Sequence, residues 1–98
     1  MLIYISHPYG NKEENKKDVE RIVEELLENN PRDTYISPIH TFGYLYEKVD
    51  YNTGLEMCLD LLKLCNLMLV YGDYRKSEGC TKEIQYARSN RIPYQIMK

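Results

Sequence analysis

The residues able to do chemistry gather in a few short stretches. His7, Pro8, Tyr9 and Asn11 follow an apolar run; Asp73, Tyr74, Ser77, Gly79 and Glu83 follow another. His7 and His40 could be general acid–base groups, although a loop histidine is more often exposed or simply hydrogen-bonded. Ser77 and Gly79 precede a helical pattern, so free backbone N–H groups there could hold an anion. The same residue types also make ordinary caps and turns. Glu83 falls near the start of that helix, where a carboxylate is commonly just a favourable partner for the helix dipole.

The chain has ten tyrosines and no tryptophan. Tyrosine rings can stack on a base or sugar, but most must fill the core and edges of a small domain. Tyr9, Tyr44 and Tyr74 stand out by loop position alone. Cys58, Cys65 and Cys80 have neither CxxC nor Cys/His spacing, so they read as reduced thiols rather than a disulfide framework or a zinc site. Cys58 and Cys65 are seven apart in a helical pattern, which turns both towards the core. Lys12, Lys16 and Lys17 read as a solvated helix face. No GxGxxG or GxxxxGK[ST] occurs, so dinucleotide and P-loop readings fail.

Four strands and three helices must position these groups. Leu2–Ser6 is a compact apolar run ended by Pro8 and Gly10, as in a buried strand. Val19, Ile22, Val23, Leu26 and Leu27 make one helical stripe, and Pro31 stops it. Thr34–Ser37 reads as a second strand cut off by Pro38. The stretch from Pro38 to Tyr51 lacks a clean period and reads as a loop and candidate lid. Thr53-Gly54-Leu55-Glu56 has the form of a capping box opening a second helix. That helix is apolar around more than one face, which predicts burial on two sides, one of them against another subunit. Asn66–Tyr71 is an apolar central strand. A third helix spans about Cys80 to Asn90. Ile92–Ile96 is the last strand, at an edge because of Pro93.

Strands alternating with helices require parallel, right-handed crossovers. The expected fold is α/β: a three-layer, flavodoxin-like sandwich on a four-stranded parallel sheet of order 2-1-3-4. Residues 1–98 form a single domain, since 98 residues cannot bury two cores. Ligands of such sheets bind beyond the carboxyl ends of the strands at the switch point. The loops after the first three strands, which carry the residues named above, converge there.

Composition narrows the partners. The chain is 43% hydrophobic with a net charge of −2. It lacks the basic excess of a nucleic-acid backbone binder, which argues against a nucleic-acid polymer. Leu67–Tyr71 is far too short to span a bilayer, and the chain opens directly on a strand. These features read as a cytoplasmic protein.

Three segments resemble the nucleoside 2-deoxyribosyltransferase superfamily, and together they cover essentially the whole chain. Ile3-Tyr4-Ile5-Ser6-His7-Pro8-Tyr9 is similar to its opening strand and loop. Asp60 through Tyr71 is similar to its aspartate-bearing helix and following strand. Ser77-Glu78-Gly79-Cys80-Thr81-Lys82-Glu83-Ile84-Gln85-Tyr86-Ala87, with Arg91-Ile92-Pro93, is similar to its closing signature. End to end the chain looks most like a short branch of unassigned function, frequent in phages and prophages.

The resemblance implies that Glu83 is a nucleophile attacking the anomeric carbon, with a glycosyl-enzyme intermediate passed to a base or to water. It makes Tyr4 the orienter of Glu83 and Asp60 the acid that assists the leaving base. His7, Pro8, Tyr9, Asp73, Ser77 and Gly79 become substrate contacts. Six residues before the glutamate, transferases carry a sugar-binding aspartate, whereas related deoxynucleoside 5′-monophosphate glycosidases carry a serine near the phosphate. This chain has Ser77, which favours a nucleotide over a nucleoside. No cofactor or metal is implied.

Two departures stand out. Asn66 replaces the usual aspartate that opens the third strand, and the C-terminal segment that reaches a neighbour's site in transferases has no counterpart. The expected activity is therefore an N-glycosidase or deoxyribosyltransferase acting on a nucleotide or nucleoside, in a homodimer or larger assembly. The alternative is a non-catalytic nucleotide-binding or interaction module of a phage or prophage.

Overall fold

Leu2–Ser6 (β1) pairs on both sides, with Thr34–Ile36 (β2) and with Leu67–Val70 (β3), and every pairing is parallel. Tyr94–Ile96 (β4) adds to β3, giving the order β2-β1-β3-β4. This computed structural model describes residues 1–97. The expected parallel sheet and strand order are both present. No helix among the described residues is long and apolar enough to cross a membrane.

Strand alternation divides the core into two halves. Tyr4, Met68 and Val70 point to one face and pack with Leu62 from the helix Tyr51–Lys63 (α3), Cys65 just beyond it and Ala87 from the helix Glu78–Ser89 (α4). Ile3, Ile5 and Leu69 point to the other and pack with Val19 from Glu13–Asn29 (α1) and Ile39 from the short helix Pro38–Phe42 (α2). Central strands covered on both faces explain the unbroken apolar runs of β1 and β3.

Several boundaries differ from expectation. The stretch after β2 is largely helical: Ser37 caps α2, and a 3-10 turn follows over Gly43–Leu45. Proline at the first helical position, which ends the strand, also suits a helix start. The cap of α3 is Asp50 rather than Thr53, its carboxylate accepting from the Thr53 amide at 2.7 Å. Likewise α4 starts at Glu78, because Ser77 accepts from the Cys80 amide at 3.2 Å. On α1 only Val19 and Ile22 are buried, and Leu27 at the end of the stripe is exposed.

Gly72 lets two loops meet. Its φ is +72°, and a side chain there would sit 3.0 Å from Pro8 Cδ and 3.5 Å from His7 Nε2. A residue with a Cβ would strain the backbone and push the loop after β3 off the loop after β1.

Candidate active site

Strand period and helix period together build the floor of the site. Tyr4 and Ser6 are two apart on β1, so both point towards α4. On α4, Cys80, Glu83 and Ala87 form the buried stripe. The Tyr4 hydroxyl donates to Glu83 Oε2, and the Ser6 hydroxyl donates to Oε1 at 2.8 Å. Tyr4 and Ser6 are fully buried, and Glu83 is only 6% exposed.

A carboxylate shut away from water favours its neutral form. Burial pushes Glu83 up to about 7, against the pull of the hydrogen bonds from Tyr4 and Ser6. Burial first, and then the Glu83 charge, hold the Tyr4 phenol well above its ordinary range. Glu83 lies in the second turn of α4, beyond the strong reach of the helix dipole. The acid in the first turn is Glu78.

Above this floor opens a cavity of about 570 Å³, within the range of small-molecule sites. His7, Pro8, Tyr9, Ser77, Gly79 and Glu83 line it at the carboxyl ends of β1 and β3. The segment 38–58 forms the opposite wall, with Ile39, Phe42, Leu45, Tyr46, Val49 and Leu55. Tyr9 links the two walls, meeting the Tyr46 ring edge-on at 5.3 Å. Close packing of Tyr9 against Gly43 draws the lid segment inwards, since a Cβ on Gly43 would lie 3.2 Å from the Tyr9 hydroxyl.

Two expected residues are not brought to the cavity. Asp60 is exposed and absent from its lining. The lining residues of α3 are Tyr51, Gly54, Leu55, Met57 and Cys58, and two residues beyond Cys58 is about 200° around the helix. Asp73 is also exposed outside the lining, 3.5 Å from the Lys76 ammonium.

His7 lines the cavity but is already engaged. Its Nδ1 donates to the Pro8 carbonyl at 2.7 Å, and its Nε2 meets the Asp18 carboxylate at 2.7 Å. It therefore pins the loop after β1 to α1. His40 lies outside the cavity, held by Glu20 and Ser37 at 2.8 Å each. Asn66 is at the far end of the sheet, where its side chain accepts from the Leu2 amide at 2.7 Å and ties β3 to β1.

Three residues gain a place that no motif announced. Ser6 is one, and strand alternation from Tyr4 was the available signal. Cys58 is the second: it lies beside Tyr4 and Glu83, and burial, then the Glu83 charge, push its thiol up to about 11. Tyr51, seven residues before Cys58 on the same face of α3, is the third. Its hydroxyl and that of Ser77 each lie 3.9 Å from the point where a Gly79 side chain would begin, leaving Gly79 bare between them.

Over residues 1–97 the chain matches the family described as Domain of unknown function (DUF7768). No curated protein matches it in sequence. Among solved structures it is similar to the 2-desoxiribosyltransferase of Leishmania mexicana, with TM-score 0.69 and 14% identity, over 98% of this chain and 63% of that one. It is also similar to the 2-deoxyribosyltransferase of Bacillus psychrosaccharolyticus, described as a biocatalyst for synthesis of nucleosides. There the TM-score is 0.70 and the identity 19%, over 98% of this chain and 71% of the other. The chain thus spans less than two thirds of the Leishmania enzyme. Its fold is deoxyribosyltransferase-like, and by sequence it belongs to the DUF7768 family.

Proposed function

We propose that the protein cleaves the N-glycosidic bond of a nucleotide or nucleoside, as a glycosidase or deoxyribosyltransferase, with Glu83 as the nucleophile. One observation carries this reading: a buried carboxylate, gripped on both oxygens by Tyr4 and Ser6, at the floor of a cavity of ligand size. A structural carboxylate gains little from such a place, because burial disfavours its charge. A nucleophile gains a fixed aim and an environment stripped of water.

In the proposed cycle Glu83 attacks C1′ and the base departs, leaving a glycosyl ester that water or an acceptor base resolves. Tyr4 and Ser6 aim the carboxylate. Ser77, with the bare backbone at Gly79, receives a 5′-phosphate at the start of α4. Pro8, Tyr9 and the lid wall enclose the sugar and base.

The binding-module alternative draws on the position of Asp60, since an acid expected to assist the leaving base faces solvent. Incubation with a panel of nucleotides and nucleosides, with neutral and with positively charged bases, followed by chromatography for free base, separates the two readings. Release by the wild type and none by Glu83→Gln supports the enzyme. Saturable binding of the panel with no release supports the module.

A further inference from the structure

The N-glycosidase reading sets a second requirement besides a nucleophile. As the C1′–N bond breaks, its electron pair goes to the base, and a neutral base then leaves as an anion unless a side chain protonates it. Among the described residues, every carboxyl and imidazole that lines the cavity is already engaged elsewhere.

Tyr4 and Ser6 spend their protons on Glu83. His7 has both ring nitrogens directed at Pro8 and Asp18. Asp50 caps α3 through the Thr53 amide, and that bond keeps its carboxyl below the ordinary range. Glu78 pairs with Lys82 at 2.9 Å on the rim. Tyr51 is held above the ordinary phenol range, chiefly by burial. The α3 side chain facing the Tyr4–Glu83 pair is a thiol, Cys58, and a thiol raised to about 11 is a poor acid at neutral pH. The nearby carboxyl of Asp60 points away.

We propose that the cleft serves nucleotides whose base departs without taking up a proton, those joined to C1′ through a positively charged ring nitrogen. A pyridinium nucleotide or an N7-alkylated purine nucleotide has this chemistry. Attack by Glu83 forms the C1′–O bond as the C1′–N bond breaks, and its electron pair neutralises the ring. A carboxylate and a cation become an ester and a neutral base, so charge balances with no proton moved. Water then cleaves the ester, returning the carboxylate and releasing one proton to solvent. Three aromatic rings, Phe42, Tyr9 and Tyr46, line the cavity, a residue type that attracts cationic rings.

This inference rests on the glycosidase reading, and one experiment distinguishes their failures. Base release is compared for 2′-deoxyguanosine 5′-monophosphate, its N7-methyl derivative and nicotinamide mononucleotide. Glu83→Gln supplies the spontaneous rate. The wild type should release base from one or both cationic nucleotides, and which one identifies the ring. Release from the unmodified nucleotide should stay at background. Cys58→Asp restores a carboxyl at the α3 position and should raise release from the unmodified nucleotide by roughly tenfold to a hundredfold or more. That gain should be absent for the cationic substrates, whose base needs no proton, and absent from the size-matched Cys58→Ser.

Wild-type cleavage of the unmodified nucleotide at a rate comparable to the cationic ones overturns the inference and leaves the glycosidase reading standing. An equal effect of Cys58→Asp on all substrates does the same. No release from any of the three overturns both.

Discussion

The Tyr4 hydroxyl and the Glu83 carboxylate, 79 residues apart in the chain, meet in a buried hydrogen bond between the central strand and the last helix. With Ser6 on the second oxygen, the carboxylate has no rotational freedom left to aim elsewhere. Removing the charge while keeping the size tests its role. Glu83→Gln should lower base release by roughly a thousandfold or more, with an unchanged far-ultraviolet circular dichroism spectrum. Retained turnover would reduce Glu83 to a structural residue.

Activity should follow the ionised fraction of Glu83. The rate of base release is expected to rise with pH, with a midpoint near 7, and level off above it. Tyr4→Phe removes a donor that favours the charged form, so its midpoint should move up by roughly one pH unit or more. A pH profile identical in the two proteins would contradict the coupling.

Stability should move in the opposite direction. Glu83 is raised from an ordinary 4.5 to about 7, so the folded state binds its proton more tightly than the unfolded chain does. The resulting stability is fully present below about 4.5 and lost as pH rises through about 7, a span worth roughly 3 kcal/mol. Urea unfolding of the wild type and Glu83→Gln at several pH values isolates it. The difference between the two should vary over that window and be flat above it.

A 5′-phosphate should strengthen ligand binding. One charge-assisted hydrogen bond from Ser77 contributes roughly 1.5–3 kcal/mol, or about tenfold to a hundredfold in affinity. Ser77→Asp is a clean test because aspartate caps a helix as well as serine does, so α4 should persist while the added charge repels phosphate. Calorimetry should show a weakened deoxynucleoside monophosphate and a nearly unaffected deoxynucleoside. Equal affinities of the wild type for the two ligands would exclude a phosphate contact.

Asp60→Asn should leave turnover and KM unchanged, since that carboxylate faces solvent away from the cavity. A loss of activity of the size caused by Glu83→Gln would return Asp60 to the reaction.

A homodimer or larger assembly is expected at micromolar concentration. Leu62 of α3 is buried, but Leu55, Met57, Leu59 and Leu61 are only partly covered, and Leu64 just beyond the helix is 70% exposed. Sedimentation velocity giving a monomer would refute this.

Strand order could be read from the chain alone. Unbroken apolar runs at β1 and β3, with helical stripes between them, admit few arrangements once crossovers must be parallel and right-handed. The sequence also carried the pairing of Tyr4 with Glu83, through the family resemblance, while Ser6, which alternation puts on the same face, went unnamed. Helix starts were less legible: Asp50 caps α3 where the local pattern pointed to Thr53, and α4 begins at Glu78, two residues before the expected Cys80. A cap is decided by which side chain reaches a free amide, and that depends on the angle at which the chain enters the helix.

Which side chains share the cleft depends on packing between distant elements. Asp60 and Cys58 differ by two positions on one helix, and the rotation of α3 against the sheet turned the carboxylate to solvent and the thiol to Glu83. That rotation follows from burial of Leu62 in the cluster with Tyr4 and Met68. In the same way Asp18 claimed His7 and left it a clamp on the loop rather than a free acid or base. Both outcomes come from contacts between distant segments, which no local pattern encodes.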